Sequence, residues 1–82
     1  MLESLKNRPK AVGIKQTLKS VTSGNAEYVF IANDADEKVI VDLKKICQEI
    51  GIQIEYVENM KLLGKACGIE VGAAVSCLLK NN

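Results

Sequence analysis

Apolar and polar positions change period several times along the chain, and each change marks an element. Residues 2–7 read as a short helix ended by Pro9. Lys10-Ala11-Val12 then reads as a brief strand before Gly13. From there Ile14, Leu18 and Val21 recur at i, i+4 and i+7, the stripe of an amphipathic helix, and Ser23-Gly24-Asn25 stops it. Tyr28–Ala32 is an unbroken apolar run rich in aromatic and β-branched residues, as expected of a central strand buried on both faces. Asn33-Asp34-Ala35-Asp36 offers several N-caps. In the helix that follows, Val39, Leu43, Ile46 and Ile50 repeat at helical spacing, joined by Ile40 and Cys47. Lys38, Asp42, Lys45 and Glu49 fall on its wet side, and Gly51 ends it. Ile52, Ile54 and Tyr56 alternate with Gln53 and Glu55, which predicts another strand. Asn59 can cap a short helix carrying Leu62, Leu63 and Ala66, closed near Gly68. Ala73–Leu79 reads as the last strand, with a helix as the alternative there.

The resulting alternation of helix and strand implies an α/β fold with helices on both faces of a sheet. Eighty-two residues without an internal repeat or linker are read as one domain, 1–82. A hydrophobic fraction of 48% and a charged fraction of 26% suit a soluble globular chain and argue against disorder. No apolar run approaches the ~18 residues of a membrane span, and residues 1–6 lack the layout of a secretory signal. The expected location is therefore the cytoplasm.

Enzyme chemistry finds little to stand on. There is no histidine, which removes the commonest general base and metal ligand. Neither a dinucleotide-binding nor a P-loop glycine motif is present. Cys47, Cys67 and Cys77 have neither metal-knuckle nor redox-pair spacing, and they are read as small core residues. Asp34 and Asp36 are better explained as helix caps than as cation ligands. No catalytic residue, cofactor or metal is assigned.

Net charge of +1 hides an uneven distribution. Residues 1–20 carry +4, residues 21–60 carry −5 and residues 61–82 carry +2. A basic face that attracts phosphate and an ordinary solvated surface both fit that pattern. On a helix over 14–23, Lys15, Gln16 and Lys19 project away from the apolar stripe and share one face near its start. First-turn N–H groups there can meet phosphate, lysine can donate to guanine O6 and N7, and glutamine can donate and accept at base edges. Gly68-Ile69-Glu70-Val71-Gly72 is either the run-in to the last strand or a protruding loop whose apolar groups pack on an unstacked base.

Several of these stretches resemble one family. Gly13-Ile14-Lys15-Gln16-Thr17-Leu18-Lys19 looks like a Gly-x-Asn-Glu-x-x-Lys signature. Tyr28–Asp36 is similar to its Ile-Ala-Glu-Asp-x-Asp segment. Ile54–Val57 followed by Leu63–Val71 resembles Tyr-Val, then Leu-Gly-x-Ala-x-Gly-Ile-Glu-Val. The chain thus resembles, from about Val12 to Ala74, the kink-turn-binding ribosomal protein family named for archaeal large-subunit protein seven-Ae. Its compact length and Lys-Gln pair look most like the bacterial YbxF-type members. The resemblance implies a three-layer α/β/α sandwich around a four-stranded mixed sheet and a non-enzymatic role. It implies binding to kink-turns, RNA duplexes bent sharply at a bulge beside tandem sheared G·A pairs, in ribosomal RNA or a riboswitch. The chain would act as a monomer, without DNA or membrane, and possible sites of action include the ribosome. The implied RNA-binding residues are Gly13, Lys15, Gln16, Lys19, Asn33, Lys61, Lys65, Ile69, Glu70 and Val71. Lys15 stands where the family has Asn, Gln16 where it has Glu, and Met60 where many members carry a lysine. A protein–protein interaction module of the same fold without RNA binding is the second reading, and the Lys15–Gln16 departure leaves room for it.

Overall fold

The computed structural model describes residues 1–80. A 3-10 turn at Leu2–Lys6 precedes β1 (Lys10–Val12), α1 (Ile14–Thr22), β2 (Ala26–Ala32), α2 (Glu37–Ile50), β3 (Ile54–Val57), α3 (Met60–Ala66) and β4 (Val75–Leu79). The expected order is therefore met, with β2 beginning two residues earlier and β4 two residues later than the apolar runs suggest. The last segment is a strand because it fills a central slot, paired to β1 on one side and β2 on the other.

Strand order is β1-β4-β2-β3. β4 runs antiparallel to β1 and β2, and β3 lies parallel to β2. The sheet is thus four-stranded and mixed, and β1, β2 and β3 all point the same way. Their carboxyl ends share one end of the sheet with the start of β4.

Alternation along β2 divides the interior into two cores. Val29 and Ile31 join Val75 and Cys77 of β4 beneath Val21 of α1 and Ile40, Leu43 and Cys47 of α2. Phe30 and Ala32 turn the other way and meet Leu5, Leu63, Cys67 and Leu78. Helices α1 and α2 therefore cover one face, and α3 with the 3-10 turn covers the other, which makes a three-layer α/β/α sandwich. Cys47, Cys67 and Cys77 are buried and free. Burial pushes the Cys47 and Cys77 thiols up, which disfavours the reactive thiolate.

Two features differ from the hydrophobic reading. In α2 the buried residues are Ile40, Leu43 and Cys47, whereas Val39 and Ile50 are exposed. The helix is rotated because it packs against α1 as well as the sheet, which favours the Ile40–Cys47 side. In β2 the register shifts between Ala26 and Tyr28. This bulge turns Ala26 into the first core. It also sets Glu27 facing Arg8, whose two terminal nitrogens donate to the carboxylate at 3.2 and 2.7 Å. One of them also reaches the Leu79 carbonyl at 3.3 Å. Arg8 is thus committed to structure and not to a basic binding face. No helix among the described residues is long and apolar enough to cross a membrane.

Candidate functional site

Each helix of the sandwich follows a strand that ends at the same end of the sheet, so all three helices begin there. That end also receives the loop leading into β4. A run of hydrogen bonds ties these pieces together. Gly13 N–H donates to Val75 O at 2.9 Å, Ala32 N–H to Ala74 O at 2.9 Å, Asn33 N–H to Val57 O at 2.7 Å and Ala73 N–H to Met60 O at 3.0 Å. Ligands of open α/β sheets commonly bind outside the carboxyl ends of strands.

The helix starts differ in charge. At α2 the Asp36 side chain accepts from Lys38 N–H at 3.0 Å, with Glu37 in the first turn. At α3 the Asn59 side chain accepts from Leu62 N–H, and Asp34 accepts from Met60 N–H, both at 2.8 Å. Asp34 and Asp36 are thus both caps, but of different helices. α1 starts at Gly13, with no side-chain cap and no acidic residue in its first turn. Gly13 has φ +93°, a conformation that L side chains rarely adopt, and its missing Cβ keeps the helix start open. The first-turn N–H groups of Ile14, Lys15 and Gln16 have no intrahelical acceptor. They form the positive end of the helix dipole, where an anion is favoured.

Lys15, Gln16 and Lys19 are all exposed on α1. Lys15 and Gln16 occupy the first turn. Lys19 lies one turn further along and borders a shallow cleft of about 520 Å³ shared with Asp42, Lys45, Ile46 and Glu49 of α2. On the inner side of α1, Thr17 is fully buried, and its hydroxyl has no hydrogen-bond partner among the described residues. A search for apolar spacing alone passes over Thr17.

Residues 68–72 share features of both readings of that stretch. α3 ends with Gly68 at φ +82°, Gly68 N–H donating to Lys65 O and Ile69 N–H to Gly64 O, each at 3.0 Å. This is a Schellman closure, which needs a left-handed residue at Gly68. Ile69 is half-buried and leans on the second core, while Glu70 is exposed and Val71 is 71% exposed. The loop therefore presents Val71 outward and anchors itself through Ile69. Gly64 is what lets it lie so close: a Cβ there would strike the Val71 carbonyl oxygen.

Asn33 is exposed in the turn after β2, at the same end of the sheet. Lys61, exposed in the first turn of α3, is there too, on the opposite layer from α1. Lys65 is exposed at the far end of α3. Neither these two lysines nor Lys15 and Lys19 are in an ion pair among the described residues. Among those residues no three His, Cys, Asp or Glu side chains come together to hold a metal ion. The arrangement can offer backbone N–H groups and ammonium ions to an anion, an amide to a hydrogen-bonding edge, and an exposed valine to a flat apolar face. Asp34 was not legible as a bridge to α3, since nothing local marks a bond across that span.

Fold and site together define a class: a small α/β/α sandwich whose glycine-started, lysine-bearing helix and protruding loop both lie toward the carboxyl ends of its strands. The chain matches the ribosomal protein L7Ae/L30e/S12e/Gadd45 family over residues 2–82, and it belongs to that family. An RNA-binding protein of Caldanaerobacter subterraneus subsp. tengcongensis is 49% identical over 67 residues, 82% of each chain. The large ribosomal subunit protein eL8 of Halobacterium salinarum is 37% identical over 68 residues, 82% of this chain and 57% of that protein. Among solved structures, the 15.5kD RNA binding protein of Giardia lamblia superposes with a TM-score of 0.84 at 30% identity. That match covers 99% of this chain and 67% of the other.

Proposed function

We propose that this chain is a non-enzymatic RNA-binding protein that recognises kink-turns. The observation that carries the reading is the juxtaposition of two features at one end of the sheet. One is the uncapped start of α1, bearing Lys15 and Gln16 with Lys19 beyond, and the other is a loop that holds Val71 in solvent. Membership of a ribosomal protein family and the RNA-binding names of its relatives support RNA as the partner.

The mechanism follows from the shape of RNA. An ordinary A-form major groove is too deep and narrow for side chains to read. A kink opens that groove at the tandem G·A pairs and turns a bulged nucleotide outward. Lys15 and Lys19 then donate to phosphate or guanine edges, and the Gln16 amide donates and accepts at base edges without charge. The absence of a Cβ on Gly13 lets the backbone approach. Ile69, Glu70 and Val71 cover the bulged nucleotide, with Val71 on its face and Ile69 holding the loop. Asn33 and Lys61 flank the site as polar and phosphate contacts, and Lys65, at the far end of α3, is an outlying phosphate contact, which makes affinity salt-sensitive. Because the bent RNA is bound better than the extended one, binding populates the kink, and no chemistry on the RNA is needed.

One chain acts per kink, as a monomer and without metal or cofactor. Ribosomal RNA is the favoured source of the kink-turn, a reading that a ribosomal relative supports, and cytoplasmic ribosomes are the corresponding site of action. A riboswitch kink-turn presents the same surface. Titration with a kink-turn duplex and with a matched duplex whose G·A pairs are replaced by Watson–Crick pairs tests the reading. Tight binding to the first alone is expected, and equal affinity for the two overturns it. Sedimentation of the protein with ribosomal particles at low salt tests the ribosomal assignment separately.

A further inference from the structure

We propose that Asp34 is a positioning residue for the RNA-covering loop, acting through the first residue of α3; the inference rests on the RNA-binding reading above. α3 already has a cap of its own, Asn59, which accepts from Leu62 N–H at 2.8 Å. The Asp34 carboxylate adds a second bond, from Met60 N–H at 2.8 Å, across 26 positions of sequence. It fastens the start of α3 to the turn that follows β2.

Met60 is also where the far end of the loop is held. Its carbonyl accepts from Ala73 N–H at 3.0 Å, so the residue is clamped on both sides of its Cα. Gly72 lies so close that a Cβ there would sit 3.2 Å from the Met60 Cβ. One turn along, the Val71 carbonyl fills the space that Gly64 leaves open. The near end of the loop is fixed by the Schellman closure at Gly68 and Ile69. Both ends of the segment carrying Glu70 and Val71 are therefore anchored on α3, and Asp34 ties α3 to β2. Displacing Met60 moves the loop relative to α1, whose start is fixed independently by the Gly13–Val75 bond.

Asp34 is exposed and is in no ion pair among the described residues. A carboxylate beside a polyanion site is electrostatically unfavourable, so its contribution to affinity lies in the bond it accepts. Charge and acceptor are separable. Asp34→Asn keeps an oxygen acceptor and drops the charge, whereas Asp34→Ala drops both.

The test uses the full chain and two RNAs: a bulged duplex with tandem G·A pairs, and the same duplex with its bulge deleted. Asp34→Ala is expected to lose about fivefold in affinity for the bulged RNA, the scale of one net hydrogen bond, and less than about twofold for the bulge-deleted RNA. Asp34→Asn is expected to stay within about twofold of the unsubstituted protein on both, or to bind more tightly. In a Val71→Ser background the Asp34→Ala loss should disappear, because both act through the loop. Amide exchange at Ala73 should quicken in Asp34→Ala and not in Asp34→Asn. Equal losses on both RNAs, an Asp34→Asn as weak as Asp34→Ala, or an Ala73 amide unchanged in Asp34→Ala would each overturn the proposal. Failure of the unsubstituted protein to prefer G·A-paired over Watson–Crick duplex is a separate result, and it removes the RNA reading itself.

Discussion

Val71→Ser is the perturbation with the clearest separation between folding and binding. Full burial of a valine side chain is worth about 1.5–3 kcal/mol. Val71 is 71% exposed in the free protein, so folding draws at most about 0.5–0.9 kcal/mol from it. Serine at that position keeps its hydroxyl in water, and no polar group is stranded. The uncovered remainder is what a splayed base would bury, about 1–2 kcal/mol, or roughly five- to thirtyfold in affinity. No charge is removed, so the salt dependence of binding should not change. The assay pairs urea denaturation with titration of a labelled kink-turn RNA at fixed ionic strength. Ile69→Ser provides the contrast: that side chain leans on the second core, so its loss should lower stability as well as affinity. The reasoning is refuted if Val71→Ser binds within about twofold of the unsubstituted protein, or if it loses more than about 1.5 kcal/mol of stability.

Three further outcomes follow from the same geometry. Lys19→Ala should weaken RNA binding by at least about 1 kcal/mol and flatten the salt slope by about one, while denaturation shifts by less than about 0.5 kcal/mol; an unchanged titration would remove Lys19 from the interface. Gly64→Ala puts a methyl against the Val71 backbone carbonyl, and overpacking of about 1–3 kcal/mol outweighs a helix-propensity gain of up to about 1 kcal/mol. Reduced stability and weaker RNA binding are expected, and a variant as stable as the parent would show that the loop gives way freely. Arg8 holds the Glu27 carboxyl below its ordinary value of 4.5, mainly through the hydrogen bond between them. The unfolded chain therefore binds more protons near that pH, and the pair's stabilisation is present above 4.5 and lost as pH falls through the folded value. Glu27→Gln should lower stability at neutral pH and flatten its decline in acid, measured as denaturation midpoints from neutral to acidic pH.

Elements with a single apolar stripe were legible from spacing, and those with surplus apolar residues were not fully so. In α1 the stripe of Ile14, Leu18 and Val21 fixes the outward face, and Lys15, Gln16 and Lys19 fall on it as expected. In α2, Val39, Ile40, Val41, Leu43, Ile46, Cys47 and Ile50 cover more than one side. Periodicity cannot choose among such sides, and contact with α1 decides. The run Tyr28–Ala32 identifies the central strand by composition, but nothing local marks the bulge that turns Ala26 inward. Long-range bonds are invisible for the same reason: Asp34 reads as a cap for the helix that follows it, and the fold uses it on α3 instead. The site positions themselves came from resemblance. Weak local patterns at Lys15–Lys19 and Gly68–Gly72 gained meaning only when the topology brought both to the carboxyl ends of β1, β2 and β3.

That topology also gives the uneven charge a role in orientation. Three helices begin at one end of the sheet, so three positive dipole ends point at anything docking there. Carboxylates answer two of them, Asp36 and Glu37 at α2 and Asp34 at α3. Each such pairing is worth about 0.3–1 kcal/mol to its helix, and each presents negative charge to an approaching phosphate. Only α1 offers N–H groups without a carboxylate. On the RNA-binding reading, the acid-rich stretch of residues 21–60 is therefore not simply a face turned away from RNA. Part of it stands at the mouth of the site, where it disfavours phosphate over α2 and α3 and leaves the α1 start as the favourable docking point. On that same reading, attraction at Lys15 and Lys19 would bring RNA to the end of the sheet, and repulsion at Asp34, Asp36 and Glu37 would restrict how it sits there, the combination that specificity requires.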